Sequence, residues 1–344
     1  MADSLMDLKE TEIRPDDLMQ KQAELYAADV ERLVAASADF VHVACPACGS
    51  DTPRLAFRKY SLSYQHCETC ETVYVSPRPT PQHLETYYQT SQNYEFWNRY
   101  IFPASEEARR LKIFKPRAER IVDICSRFEV GRNTLIEVGP GFGLFCEELG
   151  RMGAFQRIIG VEPTPGLAET CRKRGVEVIE QRVEDVRFDD LLVDAIVSFE
   201  VIEHLFSPRE FVERCASPLS PGGVLVLTCP NIKGFDIDLL REVSDSVDAE
   251  HLNYFHPESL SDLVTSCGFE VLEVSTPGKL DAELVRKKVL AGQFSLQGHG
   301  FLQKVLIDDW DRLGPDFQQY LADHCLSSHM WLVARKPQDA SHAG

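Results

Sequence analysis

From Asn133 onward, hydrophobic and polar positions fall into two alternating rhythms. Short apolar runs recur as TLIEV (134–138), RIIGVE (157–162), VEVIEQ (176–181), DAIVSFE (194–200), GGVLVLTCP (222–230) and FEVLEVS (269–275). Their length and β-branched content predict strands. Between them GLFCEELGRM, LAETCRKRG, PREFVERCASPL and ESLSDLVTSCGF space their apolar residues three and four apart, as amphipathic helices do, and Gly268 closes the last. Strands alternating with helices of about ten residues predict a parallel sheet covered on both faces. SHMWLVARK (328–336) reads as a final strand, and 277–324 as mixed, mainly helical sequence.

Before Asn133 the pattern differs. Leu18, Leu25, Val30, Leu33 and Val34 keep helical spacing in an otherwise polar leader. Residues 41–80 turn to short alternating runs punctuated by proline, and 81–128 are rich in aromatics and then in arginine, with helical spacing. The expected organisation is a leader over 1–40, a cysteine-bearing module over 41–80, and a helical lid or linker over 81–130. An α/β core over 131–276, a helical insertion over 277–327, and a last strand with its tail over 328–344 complete it.

The 344 residues are 44% hydrophobic and 26% charged, a globular composition. The net charge of −18 repels phosphate backbones and anionic membranes, so nucleic acid and membrane surfaces are not the expected partners. No run approaches the roughly 18 apolar residues of a membrane span, and the acidic start lacks the apolar core of a signal peptide. Eleven cysteines, an odd number scattered through apparent core elements, point to a reducing cytoplasm and mostly free thiols.

Four of those cysteines stand apart. Cys45 and Cys48, then Cys67 and Cys70, give C-x2-C, eighteen residues, C-x2-C. Two such knuckles present four thiolates to one tetrahedral Zn2+, the signature of a zinc-ribbon with a closed, structural site. A redox pair or two disulfides are the alternatives, which the expected compartment disfavours. His66 is adjacent, but four sulfurs already complete a shell.

The first strand runs into LIEVGPGFGLF, where Gly139, Gly141 and Gly143 form G-x-G-x-G. The second ends in Glu162, 25 positions after Glu137, where a carboxylate can accept bonds from vicinal ribose hydroxyls. The alternative is a tight strand–helix turn with no ligand. E-x-G-x-G-x-G, the acidic end of the next strand, and SFEVIEHL after the fourth together resemble the class I S-adenosylmethionine-dependent methyltransferases over roughly 130–275. That resemblance implies a Rossmann-like seven-stranded sheet. It implies Gly139, Gly141 and Gly143 around the methionine and ribose, with Glu137 near the amino acid moiety. It also implies Glu162 on the ribose, Val183 and Glu184 at the adenine, and Phe199 offering backbone to the methionine end. Where many relatives carry an aspartate before the adenine segment, this chain has Arg182, leaving Glu184 or Asp185 to substitute.

The chemistry expected is methyl transfer to a small-molecule or sugar hydroxyl, which asks the protein to align the acceptor and remove a proton. His204 and His251 are the candidate bases, since histidine titrates near neutrality without tuning; His256, before Pro257, is expected only to shape a turn. Glu200, Glu203 and His204 form E-x-x-E-H, which if helical shares one face. It resembles the stretch that ubiquinone-pathway O-methyltransferases use for a divalent cation, and solvated charge is the bland alternative. TYYQTSQNYEFWNRY (86–100) resembles the linker after the zinc domain of sugar-nucleotide C-methyltransferases, which makes Tyr88, Tyr94 and Trp97 lid candidates. An RNA methyltransferase using the ribbon to grip substrate is the competing reading, because some of these enzymes join a cysteine zinc module to the same fold; the basic residues Arg109, Arg110, Lys112, Lys115, Arg117 and Arg120 would serve it, and a solvated helix face is the bland alternative. A non-catalytic scaffold of the same fold is a third.

Overall fold

The computed structural model describes residues 8–187 and 191–338. Residues 1–7 of the expected leader and 339–344 of the expected tail lie outside the described residues, as do 188–190. Three antiparallel strands come first: β1 (Pro53–Lys59), β2 (Leu62–Cys67) and β3 (Val73–Val75). The alternating segment supplies β4 (Thr134–Val138), β5 (Arg157–Val161), β6 (Glu177–Ile179), β7 (Val193–Phe199) and β8 (Leu219–Pro230). A two-residue strand β9 (Asn253–Tyr254), β10 (Glu270–Ser275) and β11 (His329–Arg335) follow.

The larger sheet has seven strands in the order β10-β11-β8-β7-β4-β5-β6. β4 to β8 run parallel, and β11 inserts antiparallel between β8 and β10. Every residue of β4 is buried, because helices cover both faces. Leu135 points into one apolar layer with Ile121 and Ile124 of helix Lys115–Arg127 and Phe145 and Leu149 of helix Leu144–Arg151. Ile136 and Val138 point into the other, with Phe211 and Val212 of helix Pro208–Ala216 and Leu260 and Leu263 of helix Pro257–Ser266. The period of two in the sequence is thus read out as two cores.

The cysteine module is not an appendage. β9, from the long connection after β8, pairs antiparallel with β3 and completes a four-stranded sheet β1-β2-β3-β9. On one side Tyr64, Val73 and Val75 pack with Val247, Leu252 and Tyr254 of that connection. On the other, Cys45, Cys67 and Tyr74 join the core of the large sheet through Phe255 and Leu260.

Two polar side chains lock this junction. Arg78 is wholly buried, and its guanidinium donates to the carbonyls of Val75, Phe206 and Leu252 and to Oδ1 of Asn253 at 2.9–3.3 Å. Asn253 turns its amide nitrogen the other way, onto the carbonyls of Ile202, Glu203 and Leu205 at 2.7–3.3 Å. Burial drags the Arg78 pKa down to about 10, yet the group stays charged at neutral pH.

The leader forms helices Glu10–Ile13 and Asp16–Ala35. Buried Asp29 accepts from the Ser91 hydroxyl (2.6 Å) and the Asn93 amide (2.9 Å), tying the second of these helices to the start of helix Gln92–Phe96. Helices Asp281–Leu290 and Trp310–Asp323 of the insertion build an apolar cluster of their own with Leu240.

Asn253→Ala removes donors from three buried carbonyls and an acceptor from Arg78. It should lower the unfolding free energy by about 1–3 kcal/mol, read as a lower urea midpoint with unchanged slope. A change below about 0.5 kcal/mol, the range of ordinary surface substitutions, would show that the junction does not depend on this amide.

Candidate cofactor and acceptor site

Glu137, the loop glycines, Glu162 and Phe199 lie at the carboxyl ends of β4, β5 and β7, and Glu184 lies in the turn after β6. The three loop glycines all take positive φ, but they do different work. A Cβ on Gly139 would sit 2.5 Å from Val201, and one on Gly143 would press on Cys171 at 3.1 Å, so these two permit close packing. A Cβ on Gly141 would meet nothing within 4 Å: here bare backbone faces open space, as a ligand cradle requires.

Glu137 is buried and accepts a bond from the Cys146 thiol (2.9 Å); burial pushes its carboxyl up to about 7. Glu162, also buried, is pushed upward by the same cause and accepts from the Thr164 amide at 2.9 Å. Glu184 lies half-buried in the turn Val183–Asp185, where Arg182 pairs with Asp185 at 2.8 Å. Phe199 ends β7 and packs edge-on against Phe145 with ring centres 4.9 Å apart.

One residue here had no signal in the sequence. The Arg117 guanidinium stacks 4.3 Å above the Phe199 ring, within the field of Glu137 and Glu200. No described residue holds it by a hydrogen bond or ion pair, so it stands as an unclaimed cation at the methionine end of the expected site. Within FKPRAER it looked like one more solvated helix charge.

The lid candidates divide between two places. Trp97 packs on Phe102, which lies against Phe142 of the glycine loop, and Arg109 stacks over both Trp97 and Phe102. The π-helical turn Trp97–Ile101 therefore sits by the cofactor loop. Tyr94 instead donates to Glu250 Oε2 (2.7 Å) while Tyr87 donates to Oε1 (2.6 Å), and Tyr88 lies between them and His204.

Beyond β7 the expectation of a helical face for Glu200, Glu203 and His204 does not hold. Glu200 takes φ +56°, unusual for a residue with a side chain, and only Ile202–His204 form a helical turn, a single one. The kink sends Glu200 to Thr228 (2.6 Å) and His329 (3.2 Å), which with Arg117 hold its carboxyl down to about 2 against the effect of burial. Glu203 and His204 turn instead toward His251. One ligand atom from each of these three lies within 4.8 Å of the others, so His251 stands where the sequence had placed Glu200.

The two candidate bases meet edge to face, ring centres 4.6 Å apart. His251 Nδ1 bonds the Ser246 carbonyl at 3.0 Å, so it carries the proton and leaves Nε2 as the basic nitrogen. Burial and His251 push His204 down to about 3, which keeps it neutral. His204 Nδ1, both Glu203 carboxylate oxygens and the Tyr88 hydroxyl are buried with no hydrogen-bond partner among the described residues.

In the ribbon, Cys45 and Cys70 place their sulfurs 3.5 Å apart, and Cys48 and Cys67 theirs 3.6 Å apart. A tetrahedral ion with bonds of about 2.3 Å needs sulfur–sulfur edges of roughly 3.8 Å, so the set fits zinc. All eleven cysteines are free thiols. His256 does more than shape its turn: its Nε2 bonds the Cys70 carbonyl at 2.8 Å, tying the knuckle to the segment that carries His251.

Four of the six basic residues of 109–120 are spent internally. Arg110 is held by Glu106, Glu147 and Glu148, Lys112 by Glu12, Arg120 by Glu273, and Arg109 by the Ile13 carbonyl. Those charges do not form a free face for phosphates. No described helix is long and apolar enough to cross a membrane.

Comparison with known proteins agrees with this geometry. Residues 106–274 match the profile of a methyltransferase domain family. The chain is 29% identical over 157 residues to the mitochondrial ubiquinone biosynthesis O-methyltransferase of Homo sapiens, covering 41% of this chain and 42% of that protein. It is 30% identical over 121 residues to the ubiquinone biosynthesis O-methyltransferase of Xanthomonas oryzae, covering 33% and 49%. The chain thus spans about half the length of the curated relatives it matches. Among solved structures, a chain of the complex between the Haloferax volcanii Trm112 methyltransferase activator and a methyltransferase aligns with TM-score 0.50 at 15% identity, over 71% of this chain and 98% of that one. That likeness speaks for the fold alone. Sequence and sheet order agree, and the chain carries a class I S-adenosylmethionine-dependent methyltransferase domain.

Proposed function

We propose that the protein transfers a methyl group from S-adenosylmethionine to a hydroxyl of a small-molecule or sugar acceptor. The observation that carries this reading is the meeting at one sheet edge of the glycine loop, two buried carboxyls and a histidine whose Nε2 is left basic. Gly141 would lie under the cofactor and Glu162 would accept from its ribose hydroxyls. Glu184 would border the adenine, while the Phe199 carbonyl and Glu137 take the α-ammonium and Arg117 the α-carboxylate. Bound there, S-adenosylmethionine supplies an already activated methyl group. His251 would accept the acceptor hydroxyl's proton at Nε2 as that oxygen takes the methyl group and S-adenosylhomocysteine is left. Neutral His204 orients the acceptor. Cys45, Cys48, Cys67 and Cys70 would hold a structural Zn2+.

The internal pairing of Arg109, Arg110, Lys112 and Arg120 counts against an RNA acceptor.

Three measurements test this. Calorimetric titration with S-adenosylhomocysteine should give binding that Glu162→Ala weakens at least tenfold, about 1.4 kcal/mol; equal affinities would remove Glu162 from the site. Because Glu137 titrates near 7 and only its carboxylate attracts an ammonium, affinity should fall as pH drops through that value. Glu137→Gln should bind weakly with a flat profile, and a flat profile in the unaltered protein would contradict the assignment. Elemental analysis should find one zinc per chain, lost in Cys67→Ser; a metal-free, folded preparation would overturn the zinc assignment.

A further inference from the structure

Glu203 is fully buried, and neither carboxylate oxygen has a hydrogen-bond partner among the described residues. Beside it, the Tyr88 hydroxyl and His204 Nδ1 are buried and equally unpartnered. An ionised carboxylate is costly to bury alone, and the charged groups acting on this one, Glu200 and Asp248, are themselves acidic. Among the described residues no cationic side chain acts on it.

Aromatic rings lie close by. Tyr94, Tyr88, His204, His251 and Tyr254 follow one another as edge-to-face pairs with centres 4.6–6.3 Å apart and planes at 69–77°. Tyrosine faces attract ammonium groups, and a carboxylate beside them adds to that attraction. The free lone pairs on Glu203, His204 and Tyr88 suit the several N–H donors of an ammonium. Glu203, His204 and His251 could also hold a divalent ion, which the titrations below separate from an ammonium.

Resting on the methyl-transfer reading, we propose that the acceptor carries an aliphatic amine. Its ammonium would sit on Glu203 between Tyr88 and His204, beside the hydroxyl that His251 deprotonates. The acceptor class is then an amino alcohol or amino sugar, and phosphorylated or carboxylated molecules are repelled by the same acidic surroundings.

The test uses the full chain, zinc-loaded and saturated with S-adenosylhomocysteine. Ethanolamine and ethylene glycol, which differ only in the amine, are titrated while the ring signals of His204 and His251 are followed by NMR. Saturable shifts with at least fivefold preference for ethanolamine are expected. Glu203→Gln should abolish the preference, and Tyr88→Phe, a milder change that keeps the ring, should reduce it. No preference in the unaltered protein overturns the proposal. So does magnesium or manganese, titrated alone, binding these histidines in a Glu203-dependent way while ethanolamine does not, which would assign the cluster to a divalent ion. Failure of folded protein to bind S-adenosylhomocysteine at all would instead sink the methyl-transfer reading.

Discussion

The arrangement depends on one buried charge. Arg78 leaves the small sheet after β3 and is removed from water, which is tolerable only because three carbonyls and the Asn253 side chain surround it. Asn253 transmits that constraint to the turn holding Glu203 and His204. The Leu252 amide adds a bond to the Glu203 carbonyl at 2.8 Å. The ribbon, the segment around Asn253 and the post-β7 turn are thus one hydrogen-bonded body. Strand pairing between β3 and β9 spans only two residues and could not fix this geometry by itself.

Seen this way, the ribbon is a buttress. Its knuckle is bonded through the Cys70 carbonyl to His256, and through the Ala47 carbonyl to Arg209 at 3.2 Å. The aromatic segment braces the opposite side, where two tyrosine hydroxyls grip Glu250, the neighbour of His251. Burial and Asp248 push the Glu250 carboxyl up to about 7, against the two tyrosine donors, which favour its ionised form. The cofactor side is built independently, from the tight glycine turn and the two strand-end carboxyls of the large sheet.

What the sequence disclosed follows from where the physics is local. β4, β5, β7 and β8 were legible because burial on both faces demands apolar runs, and the cysteine knuckles because spacing alone defines a tetrahedral set. Glu137 and Glu162 were legible as strand ends. β9 was not: two residues carry no period, and their pairing partner lies about 180 positions away. The expected helical face of E-x-x-E-H failed because Glu200 adopts a left-handed backbone, anchored by Thr228 and by His329 from the last strand. His204 and His251 were each singled out, but only the fold makes them neighbours and sets the tautomer of His251. Arg117 stayed hidden because an unpaired guanidinium differs from a solvated one only in its surroundings.

The most direct test of this coupling is amide hydrogen exchange with and without zinc, after mild chelation of the intact protein. Metal loss should speed exchange not only at 45–75 but also at 200–206 and 249–256, while β4 and β5 stay protected. Acceleration confined to 45–75 would contradict it and return the ribbon to the status of a separate appendage.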